Sequence, residues 1–331
     1  MSVKYRVVVE KIESKVLACN PLGDPTTREL HLVVPDTTTG PLPLVFVLSG
    51  FSGVGKMALA DDPWQEGLAQ RVERLSAEGK LGAPAIFALP DCWTRYGGSQ
   101  YLDSAATGAY ETHLWHELLP AIRAAHPVGK VGVVGKSSGG FGAIVQAMRH
   151  PEIVSAVGVH SGDMAFEYCY QADFPKTFRT LAKHGGLKGF FDAFAASNKK
   201  RDGRWIDTLN IVAMAACYSP DAAAERGFAL PFDLETGALV EAVWRRWLAF
   251  DPVRMLDEPR HVAALKAMKL LFLDAGTRDE YALDLGARIF ARRLRELGVA
   301  HRHEEFDDGH FGITYRYDVS LPLLVTALAG A

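Results

Sequence analysis

Cysteine is scarce in this chain, with four in 331 residues. Cys19, Cys92, Cys169 and Cys217 are far apart and form no C-x-x-C pair. That spacing argues against a zinc knuckle or a redox dithiol and fits isolated, buried or half-buried thiols. Long apolar runs are also missing. None reaches the roughly 18 to 20 residues of a membrane span, and residues 1–10 alternate polar and apolar instead of carrying the apolar centre of a signal peptide. The expectation is a cytoplasmic protein with no membrane partner. Nor does one sign of charge dominate: 36 Lys and Arg against 39 Asp and Glu leave a net charge of −3. Both signs are spread along the chain, so there is no basic patch for nucleic acid. His301 and His303 precede two glutamates, but residues two apart on a strand only share a face. No metal and no cofactor is expected. The expected partner is a small molecule, and homo-oligomerisation is left open.

What the chain does have is the composition of an ordinary globular protein, 48% hydrophobic and 23% charged. Short apolar or β-branched runs recur at Tyr5–Glu10, Glu29–Val34, Leu44–Leu48, Ala85–Leu89, Val131–Val134, Val154–His160 and Leu270–Asp274, with a more polar one at His301–Phe306. They predict about eight strands. Helical periodicity lies between them at Trp64–Ala77, Tyr110–Ala125, Phe141–His150 and Leu285–Leu297, with a last stretch near Leu321–Leu328. This alternation predicts an α/β fold, a mostly parallel sheet with helices on both faces. "NPLGDPTTRE" joins the first two runs with turn residues, so the sheet is expected to open on an antiparallel pair. Between His160 and Leu270 about a hundred residues lack a buried strand and are rich in aromatics, which reads as a mainly helical cap inserted at 162–252 within one domain. Most of those aromatics are expected to form the insert's own core.

"LVFVLSGFSGVGKMALA" looks first like a phosphate-binding loop, with Gly50, Gly55 and Lys56 in register. Met57 stands where that loop needs a hydroxyl for Mg²⁺, and a thioether is a poor ligand for a hard cation. A P-loop NTPase is therefore a rival reading only.

The stronger signal lies at Val131–Val134, which runs into Gly135-Lys136-Ser137-Ser138-Gly139-Gly140. Phe141, Ile144, Val145 and Met148 follow at helical spacing, giving strand, tight turn and helix with Gly-x-Ser-x-Gly at the turn. Such a turn strains the central residue and crowds its neighbours, so the flanking positions must lack bulk and the serine is pushed out above the sheet. An acid and then a histidine should follow, each beyond a later strand. Asp274 still lies in the strand Leu270–Asp274, whereas Asp279, in the loop beyond its carboxyl end, is better placed to reach a histidine, with Glu280 the runner-up. After the last strand His310 sits in "FDDGHFG"; His160, at a strand end, is its rival and suits a pocket wall better. The order Ser137, Asp279, His310 points to nucleophile, orienting acid and general base. An oxyanion hole would take the N–H of Ser138 and that of Phe51 in "SGFSGVGK". Lys136, Tyr96, Tyr101 and His160 are candidate pocket contacts.

With these residues the chain resembles the esterase D-like group of the α/β-hydrolase superfamily, which includes S-formylglutathione hydrolases, feruloyl esterases, enterochelin-type esterases and mycolyltransferases. The resemblance runs through "NPLGDPTTRELHLVVP", "FVLSGFSG", "LPDCWTRYGGSQYLDS", "YETHLWHELLPAI", "GKSSGGFGA", "DAGTRDEY" and "DDGHFG". It implies an α/β-hydrolase fold, the triad Ser137, Asp279 and His310, and an oxyanion hole from Phe51 and Ser138. The implied activity is hydrolysis of a carboxylic ester or thioester through an acyl-enzyme. An acyltransferase with the same triad and a non-catalytic binding module are the alternatives. The chain differs from the pattern at Lys136 and in its long aromatic insert.

Overall fold

The computed structural model describes residues 3–36 and 40–330, with the backbone alone at residue 204. Eight strands form one sheet: β1 (Tyr5–Glu13), β2 (Thr27–Pro35), β3 (Leu42–Leu48), β4 (Ile86–Pro90), β5 (Val128–Lys136), β6 (Val154–His160), β7 (Leu270–Gly276) and β8 (Arg302–Phe306). Their spatial order is β1-β2-β4-β3-β5-β6-β7-β8. The antiparallel start is present, since β1 pairs with β2 and β2 with β4 antiparallel, whereas every pairing from β4 through β3 to β8 is parallel. The central strands β3 and β4 are buried along their whole length, as continuous apolar runs covered on both faces must be. At the edge, β1 exposes Val7 and Val9.

The pleat sorts side chains between two cores. On β3, Leu44, Phe46 and Leu48 join one cluster, while Val45 and Val47 join the other. The second face is covered by α1 (Leu68–Ala77), through Leu68, Val72 and Leu75, and by the C-terminal helix described below. The first face receives α2 (Leu119–Ala125) and α3 (Ser138–Arg149), the latter inserting Phe141, Ile144, Val145 and Met148. Each fully buried side chain of this size contributes about 1.5–3 kcal/mol of transfer free energy.

Between β6 and β7 lie the helices α4 (Phe174–Lys183), α5 (Leu187–Ala196), α6 (Gly203–Tyr218), α7 (Glu241–Leu248) and α8 (Pro259–Lys266). Phe174, Trp244 and Trp247 pack edge to face within this segment, and Phe166, Tyr170 and Tyr218 form a second aromatic group. Two more helices complete the fold, α9 (Leu283–Glu296) before β8 and α10 (Tyr317–Ala329) after it. Leu321, Leu324, Val325 and Leu328 of α10 complete the second core.

Three differences from the expected helices have a local physical reason. α1 begins at Leu68, not Trp64, because Asp62 caps the Trp64 and Gln65 amides, Gly67 stays extended as the N-cap, and Trp64 is 90% exposed. α3 begins at Ser138, before Phe141: Gly139 and Gly140 are poor helix formers, yet they make its first turn because nothing larger fits there. The stretch at Tyr110–Ala125 is not uniform, since Tyr110–Thr112 and α2 flank one wide π turn at His113–Leu118.

Candidate functional site

The sharpest local feature is Ser137, between the end of β5 and the start of α3, with φ 58° and ψ −128°. A non-glycine residue at positive φ costs about 1–3 kcal/mol and persists only where its surroundings hold it. Here the Ser137 N–H donates to the His160 carbonyl at 2.9 Å, and the Ser137 carbonyl accepts the Phe141 N–H at 2.9 Å. The flanking glycines have no alternative. A Cβ on Gly135 would lie 2.3 Å from the Gly139 carbonyl oxygen, and one on Gly139 would lie 2.1 Å from that of Leu48. The loop after β3 reaches the same point: a Cβ on Gly50 would meet the Ser137 Cβ at 3.3 Å.

Asp279 and His310 come from loops beyond β7 and β8. Asp279 Oδ2 lies 2.8 Å from His310 Nδ1, and Asp279 Oδ1 accepts the N–H groups of Tyr281 at 2.9 Å and Leu283 at 3.4 Å. Burial pushes the Asp279 carboxyl up, but the hydrogen bond and charge of His310 and the two amides outweigh it. The net result is below the ordinary aspartate value. An ionised carboxylate only accepts, so Nδ1 carries the proton of this hydrogen bond. Glu280 takes a different part, accepting the backbone N–H of His310 at 2.6 Å. Asp274 is engaged elsewhere, with His160 Nδ1 at 2.7 Å and Arg316 Nε at 2.8 Å.

A cavity of about 380 Å³ opens over these groups, and Ser137, Ser138, Phe51 and His310 all line it. Residues 23–313 match the model of the Esterase family. The chain belongs to the Esterase family. A comparison with curated proteins found no sequence match. Among solved structures this esterase is similar to a ferulic acid esterase, with 18% identity, a TM-score of 0.59, and coverage of 98% of this chain and 99% of the other. An S-formylglutathione hydrolase from Agrobacterium tumefaciens shares 15% identity at a TM-score of 0.61, covering 99% and 100%. The substrate-bound fluorophosphonate-binding serine hydrolase F of Staphylococcus aureus shares 15% at 0.59, covering 97% and 99%. At these identities the likeness shows the shared α/β-hydrolase fold. The family makes the chain an ester hydrolase.

Of the expected pocket residues, this esterase brings only Lys136 to the cavity. Burial lowers the Lys136 pKa, while Asp279, Asp163 and Glu280 act in the other direction; its Nζ lies 5.4 Å from the centroid of the Phe311 ring. Tyr96 is instead buried against Phe191 and Phe228. Tyr101 is also buried: its ring packs against Gly142, and its hydroxyl donates to the Ser49 carbonyl at 2.7 Å, bracing the loop that carries Phe51. His160 is not a cavity wall either. Its Nε2 lies 2.8 Å from Ser320 Oγ, so Ser320, His160 and Asp274 form a second serine-histidine-aspartate chain. All three are at most 1% exposed and none borders the cavity, so no ester can reach them.

Lys56 is on the surface, 3.5 Å from Glu29, and a Cβ on Gly55 would touch the Leu89 carbonyl oxygen at 2.5 Å. Lys56 thus faces a carboxylate and does not line the cavity over Ser137. Sequence reasoning missed Asp163, which lines the cavity and accepts from Tyr170 Oη at 2.7 Å and Ser138 Oγ at 3.1 Å. Burial raises its pKa against these hydrogen bonds. The available signal was its place just beyond β6, since ligands in such sheets bind outside the carboxyl ends of the strands. α6 adds Ile206, Asp207 and Asn210 to the opposite wall, where a run of mixed helix residues gave no signal. Among the described residues no group of three or more His, Cys, Asp or Glu is arranged to hold a metal ion, and no helix is long and apolar enough to cross a membrane.

Proposed function

We propose that the protein is a serine esterase working through Ser137, His310 and Asp279. The observation that carries this reading is the 2.8 Å contact between Asp279 and His310 Nδ1, with the imidazole bordering the same cavity as the strained Ser137. In this mechanism His310 Nε2 takes the Ser137 hydroxyl proton as Oγ attacks the ester carbonyl. The N–H groups of Phe51 and Ser138 receive the oxyanion, which at such a preorganised site is worth about 3–4 kcal/mol per donor. The imidazolium then protonates the leaving alcohol, and water, deprotonated in turn by His310, releases the acid and restores Ser137. Asp279 stays ionised and holds the ring in the required tautomer.

The helical segment 162–252 acts in this reading as a cap that supplies the far wall of the cavity through α6 and Tyr170. Turnover of a p-nitrophenyl ester panel by wild type and Ser137→Ala tests the assignment. Loss of at least a thousandfold in kcat with an unchanged melting temperature is expected, and a variant as active as wild type ends the serine mechanism.

A further inference from the structure

A second cavity, of about 210 Å³, adjoins the first, and the two share Gly50 and Lys136. It lies between the loop after β3, the start of α1 and the turn before α10. Val54, Met57, Ala58, Leu68 and Tyr317 give it an apolar wall. Three charged residues also border it: Lys136, whose Nζ lies 5.4 Å from the centroid of the Phe311 ring in the wall of the larger cavity, and Arg71 and Glu66, which are 3.6 Å apart, with Arg71 bonded as well to Asp318. Arg74 further pairs with Glu66 and Asp318, each at 2.8 Å. The charges of Arg71, Arg74, Glu66 and Asp318 are engaged with one another, so at the end away from Lys136 no arginine is left to receive a carboxylate.

We infer that this cavity is the acyl subsite of the esterase, built for an uncharged acyl chain of about six to eight carbons. The inference rests on the serine-esterase reading and deepens it. Three observations carry it. Gly50 borders both cavities, and a Cβ there would come within 3.9 Å of Ser137 Oγ, so the smaller cavity begins beside the reacting atom. His310, which must hand its proton to the leaving alcohol, borders only the larger cavity; the alcohol therefore departs there, among Asp163, Asp207 and Asn210, and the acyl side is left for the smaller one. The volume sets the size: an apolar cavity of about 150 Å³ holds six-carbon benzene, which scales to about six to eight carbons here.

The test compares p-nitrophenyl acetate, butyrate, hexanoate and hemisuccinate on wild type, Ala58→Trp and Val54→Trp, with melting temperatures to verify folding. Each buried methylene is worth up to about fourfold in kcat/KM, so hexanoate should exceed acetate by on the order of a hundredfold in wild type. Filling the cavity should cut that hexanoate-to-acetate ratio at least tenfold in both folded variants. The hemisuccinate, matched to butyrate in length, should react at least tenfold more slowly than butyrate because its carboxylate would face the apolar wall, with the arginines beyond it already paired. Flat chain-length dependence in wild type, an unchanged ratio in both variants, or equal turnover of hemisuccinate and butyrate overturns the acyl assignment while leaving the serine mechanism standing. A wild type inert toward every ester overturns both.

Discussion

Asp279 reaches His310 Nδ1 at 2.8 Å, although the two residues come from separate loops 31 positions apart in the chain. Both side chains are almost wholly buried, which makes the bond strong and its loss expensive. Asp279→Asn keeps the shape but offers an amide where the imidazole needs an acceptor. Its kcat should fall by about 10³–10⁴-fold. Asp274→Asn should instead mainly lower the melting temperature. Equal kcat losses in steady-state kinetics of the two variants would contradict the assignment.

The direction of the Asp279 shift predicts a pH dependence. Its folded pKa lies below the ordinary value, so its contribution to stability is present above the unfolded pKa and lost as pH falls through the folded one. The stability difference between wild type and Asp279→Asn, followed by urea denaturation, should therefore be full at pH 7 and shrink on acidification below about pH 4. A difference that stays constant from pH 7 to pH 3 would rule out the shift.

Ser320→Ala separates the serine that lines the cavity from the buried one. It removes the hydroxyl from His160 Nε2 and should cost about 1–2 kcal/mol of stability. Turnover of p-nitrophenyl acetate at 25 °C should stay within about twofold of wild type, because Ser320 is fully buried and does not line the cavity over Ser137. Inactivation of a folded Ser320→Ala protein would show that the buried chain takes part in the chemistry.

Gly139→Ala should be among the most damaging single-methyl changes in the protein. The new Cβ would stand 2.1 Å from the Leu48 carbonyl oxygen, a backbone atom at the end of β3 that cannot yield without moving the loop that carries Phe51. A stability loss of about 1–3 kcal/mol is expected, together with a fall in kcat larger than the change in KM. Normal kinetics in a well-folded Gly139→Ala would mean that the turn is less crowded than its geometry indicates.

Much of the sheet was legible because its signals are local. Central parallel strands must be apolar throughout, so β3, β4, β5 and β6 stand out as β-branched or apolar runs. Gly135, Ser137 and Gly139 stand out likewise, because a strained strand-to-helix turn restricts residue type at fixed offsets. Tyr96, Tyr101 and His160 were misplaced because a polar aromatic near a strand end reads the same whether it faces a cavity or fills a gap. For Tyr101 the decision came from Gly142, whose missing side chain makes room for the ring.

The sequence by itself determined where the strands fall along the chain, the sharp turn at Ser137 and the chain order of the candidate serine, acid and histidine, since each is read from local runs of residues. Only the tertiary structure decided which carboxylate meets His310. Asp274, Asp279 and Glu280 lie within seven positions of one another, yet they bond an imidazole in another network, the His310 imidazole and the His310 amide respectively. Periodicity cannot separate them, because the choice is made by where the loops beyond β7 and β8 converge. The two cavities that meet at Gly50 have the same origin: they are spaces between elements, set by packing across the fold.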